Sequence, residues 1–305
     1  MTGAAPDISA IVERVPGWNG RAHVVGTLDG GLTNRNVLVD VAGERFVVRI
    51  AGVDTHLLGI ERHVERLANE RAAALGFAAP VVAFIEPECY LVTGFVEGET
   101  STASQLVEPG RLARVGAALR AFHESGPLPG VFDCFRVPHE HREVALARGV
   151  PIPREYDLAA ARAAEIEQAF AVSPEPRRPC HNDLLAANFL WAGDRLVILD
   201  WEYAGMNDRY FDLGNLATNN RFGEDDEIAL LENYFGAATA RRRARLALMK
   251  IMSDFREAMW AVVQQGISTL DVDYAKYARE NFDRLLANVS APGYRRLLAD
   301  ATEPE

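Results

Sequence analysis

The string His181-Asn182-Asp183-Leu184-Leu185-Ala186-Ala187-Asn188 places a carboxylate and a carboxamide on one short loop, and Asp200 follows at the end of the apolar run Leu196-Val197-Ile198-Leu199. Moving a phosphoryl group to a hydroxyl requires a carboxylate beside the nucleophile and hard oxygen ligands for a metal ion held against a triphosphate. The types and spacing assign Asp183 to the nucleophile and Asn188 and Asp200 to Mg²⁺, with ATP as the phosphoryl donor. The catalytic set is therefore Asp183, Asn188 and Asp200.

Phosphate oxygens need backbone N–H groups that can approach closely, which glycines permit. Gly30-Gly31-Leu32-Thr33-Asn34-Arg35-Asn36 lies between two strand patterns and offers Gly30, Gly31, Thr33 and Asn34 for this purpose. The same stretch also reads as a plain hairpin turn.

These residues need elements to position them. Alternation predicts strands over residues 22–28, Arg35–Val41 and Arg45–Ile50, with turns at Gly30-Gly31 and Gly43. Helical spacing follows over residues 58–76, with Gly76 at the C-terminal cap. A strand pair, Val81–Ile85 and Tyr90–Val96, then leads through Glu97-Gly98 into a mainly helical remainder. Two lobes are expected, residues 1–97 and 98–305. Helices are expected over Pro109–Ser125, 157–171 and 225–262, and a hairpin of Asn188–Trp191 with Arg195–Leu199 interrupts them. Residues 127–156 hold five prolines and little periodicity, which suggests an irregular connection or insertion.

The loop resembles the protein-kinase pattern His-Arg-Asp-x-x-x-x-Asn, with Asn182 replacing Arg and Asp200-Trp201-Glu202 standing where those enzymes carry Asp-Phe-Gly. Asn182, the block Asp200-Trp201-Glu202-Tyr203-Ala204 and the block Phe211-Asp212-Leu213-Gly214-Asn215 are similar to the choline/ethanolamine kinase branch of the aminoglycoside-phosphotransferase superfamily. Arg256-Glu257-Ala258-Met259-Trp260 and Leu270–Ala278 look like that family's C-terminal aromatic segment, so the likeness runs from about residue 24 to 286. It implies an α+β, protein-kinase-like two-lobed fold with a small antiparallel-sheet lobe and a mostly helical one.

The resemblance further implies that Arg49, at the end of Phe46–Ile50, clamps the nucleotide phosphates. Its partner is one of Glu61, Glu65 and Glu70, and Arg62-x-x-Glu65 favours Glu65. Adenine is expected against the linker at Gly94, Phe95 and Val96, with Leu190 and Leu199 as an apolar floor. Asp212 and His181 brace the catalytic loop, and His123 is expected to be packing. A quaternary ammonium donates no hydrogen bond, so a choline site needs aromatic faces and a carboxylate. Tyr203, Trp260, Tyr274 and Tyr277 are the expected walls and Glu202 the charge, although a core stripe would give the aromatic residues the same spacing. The expected reaction is ATP-dependent phosphorylation of choline or ethanolamine. An aminoglycoside or other small-molecule kinase and a catalytically dead nucleotide-binding module are the alternatives.

A net charge of -11 excludes a general nucleic-acid binder, whose surface must neutralise phosphates, and suits a cationic ligand. Cys89, Cys134 and Cys180 match no metal-ligand spacing, which fits a reducing cytoplasm. No signal peptide or membrane-spanning run is expected. The expected partner is a small amino-alcohol, and a homodimer is compatible with this reading.

Overall fold

The computed structural model describes residues 7–28, 34–52 and 54–304. Gly30, Gly31 and Thr33, expected at the phosphates, lie outside the described residues. Helix α1 (Ile8–Glu13) is capped by the Asp7 carboxylate and precedes β1 (Ala22–Leu28), β2 (Asn34–Val41) and β3 (Glu44–Ala51). Ala42 and Gly43 turn β2 into β3 with φ of 56° and 91°, the two left-handed conformations that a tight hairpin requires. A 3-10 turn over Thr55–Leu58 leads into α2 (Arg62–Ala74). Strands β4 (Val81–Ile85) and β5 (Tyr90–Gly94) complete an antiparallel sheet in the order β1-β2-β3-β5-β4.

The two-residue period of a strand gives this sheet two different faces. Val37, Val39, Val48, Ile50 and Val92 pack with Ile11, Val12, Val15 and Trp18 from α1 and the segment after it. The intervening positions Asn36, Val47, Arg49, Leu91 and Thr93 line a cavity on the other face. Helix α2 buries Val64, Ala68 and Ala72, four residues apart, in the larger core that also holds Leu106 and Trp201. Gly76, at φ 94°, ends the helix as its position suggested.

The rest of the chain runs through β6 (Glu99–Thr100), α3 (Ala103–Leu106), α4 (Pro109–His123), α5 (Val137–Ala147) and α6 (Tyr156–Val172). Strands β7 (Arg178–Cys180), β8 (Phe189–Ala192), β9 (Arg195–Ile198) and β10 (Gly205–Asn207) come next. It closes with α7 (Arg209–Asn219), α8 (Glu224–Phe235), α9 (Ala240–Ile267), α10 (Tyr274–Ser290) and α11 (Tyr294–Asp300). Residues 127–156 are less irregular than expected, because α5 starts on Val137-Pro138 and buries His141 and Ala145. The expected helix over 225–262 is two, because Gly236 takes φ 86° and Thr239 caps α9. Among the described residues no helix is long and apolar enough to cross a membrane.

Helix α9 is buried around almost its whole circumference from Leu248 to Gln264. It lies close to α7 at Gly214, where an added Cβ would stand 2.8 Å from the Lys250 nitrogen and the Met249 carbonyl carbon. A methyl group there must push two backbones apart. Gly214→Ala is expected to cost about 1–3 kcal/mol of stability, read as a lower denaturation midpoint with an unchanged slope.

Candidate active site

Two strand pairs hold two loops side by side. The loop 181–188 is strung between β7 and β8, and the loop 199–204 between β9 and β10; β7 pairs with β10 and β8 with β9. The hairpin hydrogen bond from Leu199 N to Asn188 O, 2.8 Å, joins the loops directly. Asp183, Asn188 and Asp200 thereby come together, and all three line one cavity of about 230 Å³.

Asp212 is the post to which the first loop is tied. Its buried carboxylate accepts the N–H groups of His181 (2.8 Å) and Asn182 (2.7 Å) and a ring N–H of His123 (2.9 Å). His123 is therefore more than packing: its other nitrogen meets the Tyr234 hydroxyl at 2.6 Å and fixes the ring. His181 Nε2 donates to the Leu199 carbonyl at 2.9 Å, and Nδ1 accepts the Asp183 N–H at 3.3 Å. A carbonyl only accepts and an amide N–H only donates, so the imidazole is one neutral tautomer. Burial lowers its pKa and keeps it neutral.

Asn182 and Asp200 adopt φ of 68° and 62°, left-handed backbone that costs a non-glycine residue about 1 kcal/mol or more. Asn182 is held there by its side chain, which donates to Tyr203 O (2.9 Å) and accepts from Asn207 Nδ2 (2.8 Å). Asn188 Nδ2 donates to Asp183 O at 2.9 Å, which turns the amide about the loop.

The loop 181–188 faces an aromatic enclosure. Tyr203, Trp260, Tyr274 and Tyr277 all line the cavity that holds Asp183. Trp260 is edge-on to Tyr274 and Tyr277, with centroids 5.9 and 6.1 Å apart. The polar tips of these walls are engaged by the protein. Trp260 Nε1 donates to the Tyr203 hydroxyl (2.9 Å), the Tyr277 hydroxyl donates to Glu257 Oε2 (3.0 Å), and the Tyr274 hydroxyl meets Ser268 Oγ (3.0 Å).

Two charged residues that sequence reasoning did not single out complete this wall. Arg256 NH1 lies 2.6 Å from Glu257 Oε1 and 3.3 Å from Asp183 Oδ1, and its guanidinium covers the Tyr203 ring at 4.3 Å. Both residues lie in the block Arg256-Glu257-Ala258-Met259-Trp260, from which the family resemblance points to Trp260 alone. Burial opposes the charge on Arg256, but Glu257 and Asp183 outweigh it and raise its pKa. Burial is also the largest influence on Asp183, whose carboxyl is pushed up to about 8 by it and by Glu257, Asp200 and Glu202, against the pull of Arg256. The cavity carries four carboxylates against one guanidinium, Asp183, Asp200, Glu202 and Glu257 against Arg256.

A second cavity, about 190 Å³, lies on the sheet face that carries Arg49 and is shared with Gly94, Phe95, Val96, Leu190 and Leu199. Arg49 bonds Glu65 at 2.7 Å and Asp200 at 2.6 Å. Of the three glutamates weighed for Arg49, the structure selects Glu65. Burial works against the Arg49 charge, and Asp200, Glu65 and Glu202 more than offset it. The Phe95 N–H is taken by Arg45 O (2.9 Å) and the Gly94 N–H by Pro80 O (3.0 Å). Val96 follows them in the lining of the same cavity. Glu202, in the wall of the first cavity, accepts a hydrogen bond from Asn34 Nδ2 at 2.7 Å, and Arg62 NH1 reaches the same oxygen at 3.1 Å. Burial, with Asp200, raises the Glu202 pKa against Arg49 and Arg62.

Comparison with known proteins accords with this geometry. The chain matches the Phosphotransferase enzyme family over residues 25–248. Protein LicA of Haemophilus influenzae is 27% identical over 265 residues, covering 83% of this chain and 76% of that one. The crystal structure of choline kinase LicA from Streptococcus pneumoniae shares the fold, with a TM-score of 0.79 over 93% of this chain and 99% of that one at 23% identity. A choline/ethanolamine kinase family protein from Mesorhizobium loti is 30% identical, with a TM-score of 0.80 over 97% of this chain and 98% of that one. With its loop 181–188 tied to Asp212 and its aromatic enclosure beside Asp183, the chain belongs to the Phosphotransferase enzyme family and, within it, to the choline/ethanolamine kinase family.

Proposed function

We propose that this kinase transfers the γ-phosphoryl group of ATP to the hydroxyl of choline, giving phosphocholine and ADP. The observation that carries the choice of acceptor is the enclosure beside Asp183. Its aromatic hydroxyls and indole N–H are already engaged by protein groups, so a ligand meets ring faces and a set of carboxyl groups, with Glu257 standing among the rings. A trimethylammonium group needs just that environment, because it offers charge and no N–H. A primary ammonium carries three N–H donors, and those that face the rings instead of a carboxylate go unsatisfied, at about 1–3 kcal/mol each. The choline/ethanolamine kinase names of relatives support the same acceptor class.

The reaction follows from the side chains. Arg256 holds Asp183 by Oδ1, which leaves Oδ2 to accept the proton of the acceptor hydroxyl. The hydroxyl oxygen then forms its bond to the γ-phosphorus while the bond to the bridging oxygen of ADP breaks, with no phospho-enzyme. Arg49 would supply positive charge to the phosphates, and Gly94, Phe95, Val96, Leu190 and Leu199, which line the same cavity, would enclose the base. Asp200 and Asn188 offer a carboxylate and an amide oxygen at the junction of the two cavities, a hard donor set that fits Mg²⁺. Mg²⁺ held there supplies charge neutralisation of the triphosphate. The division of labour assigns residues 1–97 to the nucleotide and 98–305 to the loop and acceptor.

The test is ATP consumption with choline, ethanolamine, thiamine, a sugar amine and an aminoglycoside. Choline is expected to exceed ethanolamine in kcat/KM by about tenfold or more, the equivalent of one unsatisfied donor. A preference for ethanolamine would overturn the choice of acceptor. Turnover of the aminoglycoside alone, or of nothing, would overturn the amino-alcohol reading.

A further inference from the structure

The nucleotide and acceptor cavities meet at Asp200, which lines both. From Asp200 runs a connected set of ion pairs. Arg62, the first residue of α2, lines neither cavity, and its side chain is 10% exposed. Its guanidinium reaches Glu65 Oε2 (2.7 Å), Glu202 Oε2 (3.1 Å), Asn34 Oδ1 (2.9 Å) and Thr55 Oγ1 (3.1 Å). Arg49 holds the other Glu65 oxygen and Asp200.

One continuous run therefore reads Asp200, Arg49, Glu65, Arg62, Glu202. It starts in the nucleotide cavity and ends in the wall of the acceptor cavity. Among the described residues three carboxylates share two guanidiniums, so any ligand that draws on Arg49 or Asp200 changes what is left for Glu65, and through Arg62 for Glu202. Glu65 and Glu202 are only 2% and 3% exposed, where water screens such a redistribution least. Asn34, which begins β2, is bound to both Arg62 and Glu202, so the backbone next to the expected phosphate turn belongs to the same network.

We infer that Arg62 is a positioning residue that couples the two cavities, so that nucleotide and amino-alcohol each bind more tightly when the other is present. This inference rests on the kinase reading above. Linkage requires the effect to be the same in both directions. Arg62→Met removes the shared cation without touching either ligand.

Calorimetric titration of a non-hydrolysable ATP analogue with Mg²⁺, with and without saturating choline, measures the coupling, and the reverse titration checks it. The full-length protein is expected to show about tenfold mutual tightening, within the usual range for coupled sites. In Arg62→Met the factor should fall below twofold while each ligand still binds alone. Glu202→Gln, a change in the acceptor wall itself, should weaken choline binding and also bring the factor below twofold, and the double variant should lose no more coupling than either single one. Coupling below twofold in the unaltered protein, or retained in Arg62→Met, overturns the inference. Should Arg62→Met lack a cooperative thermal transition, Glu202→Gln decides by the same criterion. Nucleotide binding without any binding of choline or ethanolamine would overturn the kinase reading and this inference together, a result distinct from uncoupled binding of both.

Discussion

Asp183→Asn is expected to lower kcat by about 10³-fold, within the 10²–10⁴ range for loss of a positioned general base, while the affinity for ATP changes less than twofold. The reason for the split is geometric. Asp183 lines the acceptor cavity and does not line the nucleotide cavity, and its backbone carbonyl, which orients Asn188, is kept. The same variant should be more thermostable than the unaltered protein, and the gain should grow as the pH rises. The Asp183 carboxyl is pushed up to about 8 in the folded chain from 3.8. A group whose pKa is raised on folding contributes stability fully below its unfolded pKa and loses it as pH rises through the folded value. The penalty therefore develops between about pH 4 and pH 8, and an amide does not incur it. Melting temperatures of both proteins across that window, without nucleotide, check the sign. A variant that retains strong turnover sinks the role given to Asp183, and equal melting curves at all pH values sink the electrostatic account.

Much of the site was legible because its chemistry lies on one short stretch. Asp183, Asn188 and Asp200 fall on loops joined by a hairpin, and hairpin register is set by neighbouring residues. Arg49 and Glu65 were legible for a similar reason, since strand and helix periods place each on a definite face. Arg256 and Glu257 were not. In sequence they are two adjacent charges on a long helix, the pattern of a solvated face. Their burial follows from α9 being enclosed by α5, α7 and α10, a consequence of packing across long sequence separations. The network through Arg62 was hidden likewise: Glu202 is 140 residues from Arg62 and 168 from Asn34. The short strands β6, β7 and β10 carry two or three residues each, too few for a period to register.

Glu257 provides the sharper test of the acceptor site. Glu202 was expected to supply the negative charge for an ammonium group, and it does reach the wall, but its carboxylate is shared with Arg62 and Asn34. Glu257 stands among the aromatic walls, held by Arg256 on one oxygen and Tyr277 on the other. Glu257→Gln keeps the shape and leaves Tyr277 an acceptor, yet removes the charge. It is expected to raise the KM for choline roughly 30- to 100-fold, about 2–3 kcal/mol for one charged partner in a dry site. The KM for ATP should stay within twofold, because Glu257 does not line the nucleotide cavity. Some stability will be lost as well, since Arg256 gives up one of its two carboxylates. A neutral acceptor separates the two effects. The carbon analogue of choline, with the nitrogen replaced by carbon, has the same shape and no charge, so its KM should be nearly the same in Glu257→Gln as in the unaltered protein. An equal rise for both acceptors would mean that the substitution merely distorts the pocket, and the assignment of Glu257 as the counter-charge to the ammonium would fail.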